Sequence, residues 1–393
     1  MALAFLPLLC GPTQAEEPEN SPAMPLPETV SSAPPRSEAV LASQLLIETL
    51  FRLQDESAMG VAQSLPRQKD LLTEIGKQLL EAEVEDADDL AFHIAGYALS
   101  GGNPEVVDRF LASAALTGGK RRLLEACAAY MRGDRDAALS IFSAVAISSL
   151  PAFLSGRIAL ARAVTLADDQ SLQQRDLQYA IAAMPGTLVE ESALRRSALG
   201  FAQARKEEPF FTRLDRYCRR FPNSLYGEPF WEDITGAFAA WEFKDPLPRL
   251  ERLKSCVRKL PEDRRSAVYL GLARKAALAG QQQLTQAAAG ELRILADPGS
   301  SEYQTAQLYA NLYAVATADD GRRLEALSQI VQDKLDPVEK SLLMAATTIG
   351  RSLNAPLSKA NGGNSEQQEP VPLLERGDAL LREASGLLDQ ARS

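Results

Sequence analysis

The sequence predicts an all-α chain of stacked helical hairpins, and three observations lead there. Hydrophobic residues make up 46% of the 393 positions and aromatics 6%, with Ala and Leu carrying most of the apolar content. That composition suits helices, whereas sheets favour Val, Ile and aromatic residues. Six prolines, Pro151, Pro185, Pro222, Pro261, Pro298 and Pro337, are spaced by 34, 37, 39, 37 and 39 residues. Each ends an amphipathic run (AVAISSLP, YAIAAMP, YCRRFP, CVRKLP, RILADP, QDKLDP). Proline pushes the preceding residue out of the α region and stops a helix behind it. A turn-forming element lies 17 or 18 residues before each proline: Gly133, Asp168-Asp169, Arg205-Lys206, Lys244-Asp245, Gly280 and Asp319-Asp320-Gly321. Two punctuation marks on one beat define five or six helix–turn–helix units. Such a unit cannot bury its apolar face alone and must stack on its neighbours. The period falls in the tetratricopeptide range, and Ala138 and Phe142 supply the small and aromatic pair expected where two such helices cross. No unit carries the full tetratricopeptide pattern, so the predicted fold is a tetratricopeptide-like helical-hairpin solenoid.

Along the chain, residues 1–15 are an apolar run ending Gln14-Ala15 before Glu16-Glu17. This is the shape of a signal peptide, too short to span a membrane and lacking the usual positive start. Leu9 stands where a lipoprotein box before Cys10 would need a small residue. Residues 16–37 are rich in Pro, Ser and Glu and read as a solvated linker. The helical repeat domain is expected over 38–353. Within it, Leu72, Ile75 and Leu79 share one helical face, and Leu90, Ile94, Tyr97 and Ala98 share another. The stretch Ser100-Gly-Gly-Asn-Pro104-Glu105 joins a helix stop to a start: glycine for positive φ, Asn103 as N-cap, Pro104 in the first turn, and Glu105 against the helix dipole. A second linker is expected over 354–372. Residues 373–393 repeat by sevens (Leu373, Leu380, Leu387 beside Leu374, Leu381, Leu388), predicting a C-terminal amphipathic heptad helix. It would either cap the last repeat or pair with another helix.

Few residues invite chemistry. The net charge of −10 argues against nucleic acid as the main partner. His93 is the sole histidine, and the spacings of Cys127, Cys218 and Cys256 match no zinc cluster. No phosphate-binding, dinucleotide-binding or nucleophile-elbow motif occurs in a strand context. Glu85, Asp86, Asp88 and Asp89 suit the start of a helix. Cys218 and Cys256 hold nearly equivalent places in the second helices of successive units. Second helices are usually separated by a first helix, which argues against a disulfide between them. The chain is therefore expected to be non-catalytic, with no cofactor and no metal, and to work by binding protein.

Candidate partner-binding residues are Glu190, Arg195, Arg196 and Trp231. Glu190-Glu191 and Arg195-Arg196 share one helix, either as a solvated face with an i, i+4 pair or as a charged contact surface. Trp231 and Trp241 fall in a helix predicted over 226–243 with Phe230, Phe238 and Phe243. That density marks either an interface anchor or the core between two repeats.

Four stretches in order, YALSGGNP (97–104), PGTLVEESALRRS (185–197), RRFPNSLYG (219–227) and VYLGLARKAALAG (268–280), resemble the MotC family of periplasmic motility proteins from rhizobia and related alphaproteobacteria. The resemblance covers roughly residues 40–300, and PGTLVEESALRRS is its most specific part. It implies a periplasmic protein needed for flagellar rotation that binds the periplasmic part of the stator protein MotB and helps it fold or take its position. The alternative is a periplasmic repeat adaptor for another envelope assembly.

Overall fold

A computed structural model describes residues 38–82, 84–166, 169–241, 245–313 and 320–354. The signal peptide expected over 1–15, the linker expected over 16–37, all but the first residue of the linker expected over 354–372, and the heptad helix expected over 373–393 lie outside the described residues; Asn354 itself ends α17. Among the described residues there are seventeen α-helices and no strand. An N-terminal pair, α1 (Glu38–Ala58) and α2 (Ser64–Glu81), precedes α3 (Ala87–Leu99) and α4 (Pro104–Leu111). The array continues through α5 (Gly118–Met131), α6 (Arg135–Ala144), α7 (Ala152–Thr165), α8 (Gln170–Ala183), α9 (Leu188–Gln203) and α10 (Glu207–Arg220). It closes with α11 (Gly227–Ala239), α12 (Leu247–Val257), α13 (Glu262–Leu278), α14 (Gln282–Leu295), α15 (Ser301–Asn311), α16 (Asp320–Ser328) and α17 (Pro337–Asn354).

The prolines, and the turn marks among the described residues, fall where the spacing puts them; Asp168, Lys244 and Asp319 lie outside the described residues. Pro151 and Pro261 sit immediately before α7 and α13, Pro337 begins α17, and Pro185, Pro222 and Pro298 occupy the corresponding inter-hairpin junctions. Gly133 and Gly280 take φ of 76° and 71° between the helices of their hairpins, and Arg205 takes 54° in the equivalent turn. Asp169 caps α8 by accepting the Leu172 N–H at 3.0 Å. The SGGNP stretch behaves as its chemistry predicts. Gly102 N–H bonds the Tyr97 carbonyl at 3.0 Å, the Asn103 side chain accepts the Glu105 N–H, and Pro104 opens α4. Gly102 is required for a second reason: a Cβ there would lie 2.4 Å from the Tyr97 ring.

First helices pack on first helices along the series α7, α9, α11, α13 and α15, while α10, α12 and α14 form a second row. One apolar core runs from Val40 to Tyr309 between these rows, and a smaller cluster of Leu308, Leu327, Ile330, Leu335, Leu343 and Ala346 lies under α15–α17. Ala138 and Phe142 are both fully buried. The earlier helices follow another rule, because α7 packs on α3 as well as on α6 and α8. Direct packing of α10 on α12 overturns the expectation for the cysteines. Cys218 and Cys256 form a disulfide with their Cα atoms 5.7 Å apart. The sequence argument assumed an intervening first helix, and at this step there is none.

Candidate protein-binding surfaces

A hairpin array offers partners two kinds of surface, the trough along its first helices and the outer row of second helices. The trough over α3, α7 and α9 is already filled, because α1 packs on α3 and α9 and reaches α7 through Phe51 and Gln54. Its buried residues, including Val40, Ile47, Leu50, Phe51, Leu53 and Gln54, cover more than one face of the helix. Arg157 of α7 marks the seat. Its guanidinium donates to Gln54 Oε1 and to Ser100 Oγ, both at 3.2 Å, and stacks 3.8 Å above the Phe51 ring. Burial lowers its pKa to about 10, with the Asp55 charge acting in the opposite direction. The lone histidine belongs to the same seat: His93 packs in a tilted arrangement on Phe153 with centroids 4.8 Å apart and lies 3.4 Å from Glu48.

The far end of α1 is clasped by the start of α9. Asp55 Oδ1 accepts the Leu188 N–H at 2.7 Å, placing a carboxylate on the positive end of that helix. Desolvation nevertheless raises the Asp55 pKa, against the lowering effects of this bond and of Arg157. Beyond it, Ser57 accepts the Leu225 N–H through its carbonyl, and Tyr226 reaches Gln68 of α2.

The PGTLVEE stretch is the junction itself. Thr187 caps α9 by accepting the Glu190 N–H, and the Glu190 carboxylate returns to accept the Gly186 N–H at 2.6 Å. This is close to a capping box, whose T-x-x-E signature is visible in the sequence. Glu190 is fully buried and also holds Arg216 at 2.5 Å and Arg220 at 2.9 Å, both from α10. Glu191, equally buried, holds Arg195 at 2.8 Å and accepts the Ser224 hydroxyl at 2.7 Å.

The four sequence-derived candidates therefore separate. Glu190 is enclosed within its arginines and Trp231 is 5% exposed among Tyr217 and Phe230, so neither presents a side chain to a partner in this conformation. Helix α11 stops at Ala239, short of the predicted 243, and Trp241 folds back to donate its indole N–H to the Ala202 carbonyl at 2.6 Å. Phe230, Trp231, Phe238 and Trp241 are core, and Phe243 lies outside the described residues. Arg195 is tied to Glu191 and partly exposed, and Arg196 is exposed. Desolvation lowers the Arg196 pKa, Tyr130 raises it, and Arg195 lowers it. Tyr130 also lines an open cleft of about 630 Å³ where α3, α5 and α7 end, together with Leu99, Met131, Gly133, Arg135 and Thr165. Arg135 donates to the Thr165 carbonyl at 3.1 Å across this cleft. The lining is mainly apolar, with no acid–base pair.

Elsewhere, Asp86 precedes α3 and Asp88 and Asp89 lie in its first turn, Asp88 pairing with Lys120 at 2.5 Å. Among the described residues no three His, Cys, Asp or Glu side chains gather as a metal site, and no helix is long and apolar enough to cross a membrane. Ion pairs on buried carboxylates were missed in the sequence: Arg162 with Asp176 at 2.5 Å, and the half-buried Arg274 with Glu339 at 2.5 Å.

A family model described as "Chemotaxis protein MotC" matches residues 9–390. The chain belongs to the MotC family. It is 30% identical over 340 residues to the chemotaxis protein MotC of Rhizobium meliloti (strain 1021), a match covering 84% of this chain and 76% of that protein. The MotC match takes in the hairpin array, the α1 seat, the cleft and the disulfide together.

Proposed function

We propose that this chain is a non-catalytic periplasmic accessory of flagellar motility that binds the periplasmic part of the stator protein MotB and aids its folding or placement. Family membership across residues 9–390 carries this reading. A hairpin array suits protein binding, and a disulfide between α10 and α12 suits an oxidising compartment. Of the four candidate partner-binding residues, Arg196 is the one offered as a direct contact, with Tyr130 and the cleft beside it. Arg195 shapes that face through its pair with Glu191. Glu190 and Trp231 support it from within.

The deciding experiment is co-purification of the chain, with residues 1–15 removed, with the periplasmic domain of MotB from the same organism. Saturable capture, weakened by Arg196→Glu with the helical circular-dichroism spectrum unchanged, supports both the partner and the face. Absence of capture with both proteins folded refutes the partner and returns the adaptor reading for another envelope assembly.

A further inference from the structure

The second-helix row carries a charge pattern opposed to that of the whole chain. The chain bears −10, yet the ends of α10 and α12 bring four cations together, Arg216, Arg219, Arg220 and Lys259, and Arg258 directly precedes Lys259. Arg216 and Arg220 share the buried Glu190 at 2.5 and 2.9 Å. Arg219 holds Asp215 at 2.5 Å, and Lys259 reaches the other oxygen of the same carboxylate. Four cations thus share two carboxylates, a local excess of two positive charges. The neighbouring start of α13 adds Glu262, Asp263, Arg264 and Arg265, which leave that excess unchanged. Arg264 is directed instead to the carbonyls of Pro222 and Ser224. The outer ends of the cluster face solvent, with Arg219 59% exposed and Arg220 43%, and Arg258 is also exposed.

The scaffold under the cluster is fixed. Cys218 precedes Arg219, Cys256 lies two residues before Arg258, and their disulfide ties the two helices together directly beneath the charges. The helix C-termini favour cations there, so the cluster forms without straining either helix. Guanidinium groups offer paired donors matched to carboxylates. Their present acceptors use only part of that capacity, since Arg216 and Arg220 divide one carboxylate between them.

We infer that the disulfide-linked ends of α10 and α12 are a docking surface for an acidic segment of a protein partner. A surface with a local positive excess attracts an acidic segment and steers its approach. This inference rests on the motor reading only for the identity of the partner; the charge argument stands without it.

The test uses the full processed chain and a labelled twelve-residue glutamate-rich peptide, followed by anisotropy at low and at physiological salt. Arg219→Glu with Lys259→Glu reverses two exposed cations. Arg132→Glu, on the exposed surface beside Asp108, is the control. The expected result is salt-sensitive peptide binding that falls about tenfold or more in the double variant and is unchanged in the control, because exposed charge pairs weaken with ionic strength. Equal binding by the double variant and the wild type overturns the proposal. So does capture of vesicles rich in anionic lipid, or of inorganic polyphosphate, in preference to the peptide. Peptide binding without capture of the MotB domain keeps the surface and refutes the motor partner. MotB capture that the double variant leaves intact does the reverse.

Discussion

Breaking the bridge between Cys218 and Cys256 should destabilise the array by an amount that follows from its loop. The cysteines are 38 residues apart. Closing a loop of that size removes about 13 cal/mol/K from the unfolded chain, worth about 4 kcal/mol at 25 °C in the chain-entropy account. For a cooperative body of about 300 residues, unfolding entropy near 2 cal/mol/K per residue turns this into a fall in Tm of roughly 6 °C. The assay is guanidinium and thermal unfolding of the wild type with and without reductant, beside Cys218→Ser with Cys256→Ser. Reductant should lower the wild-type midpoint to that of the double variant and leave the variant unmoved. Thiol titration supplies an independent check. Cys127 is buried and desolvation raises its thiol pKa to about 12, so the native chain lacking residues 1–15 should show no reactive thiol and the same chain unfolded and unreduced should show one. A midpoint indifferent to reductant, or three thiols in the unfolded and unreduced chain, would refute the reasoning.

Three further predictions rest on single side chains. Gly102→Ala should cost about 1–3 kcal/mol in a urea titration, because its Cβ meets the buried Tyr97 ring at 2.4 Å; a neutral result would show that the ring yields freely. Glu190→Gln should cost about 1–3 kcal/mol by removing charge-assisted bonds from Arg216 and Arg220, and the loss should persist in 0.5 M salt because the carboxylate is enclosed. Asp55 has a native pKa raised by desolvation, so the unfolded chain keeps its proton less well than the native one. Stability owed to Asp55 is therefore largest below its unfolded value of 3.8 and is lost as pH rises through the native pKa. Asp55→Asn should gain on the wild type between pH 3 and pH 7, and a difference that shrinks over that range would count against the desolvated carboxylate.

The hairpin order was legible because its signals are local. Proline, glycine and N-caps act on their own backbone, so their spacing survives whatever the tertiary fold does. What failed depended on distant partners. Glu190 and Glu191 read as members of a surface helix because their acceptor role is met by Arg216, Arg220 and Ser224, 26 to 33 residues further on. The disulfide was missed because regular alternation of helices was assumed where α10 meets α12 directly. Trp231 offered two readings that burial alone could separate. The seat of α1 had no signal at all: an amphipathic pattern states that a face is buried, never which groove receives it. Arg196 and the nearby cleft show the converse, since exposure is also a tertiary property.

The α1 seat also sets an order of assembly. Its contacts reach across 103 residues to Arg157, 133 to Leu188 and, through Gln68 of α2, 158 to Tyr226. A simple hairpin array can grow from its first unit onward, each unit resting on the one before. Here α1 has no finished berth until the chain has been made as far as α9 and the turn before α11. Until then its Leu and Ile face stays open, and long-range closure of this kind slows folding. The N-terminal half thus comes together as a ring of mutual dependence: shortening the chain anywhere between α3 and α11 would strand α1, while loss of units beyond α13 would leave its berth whole.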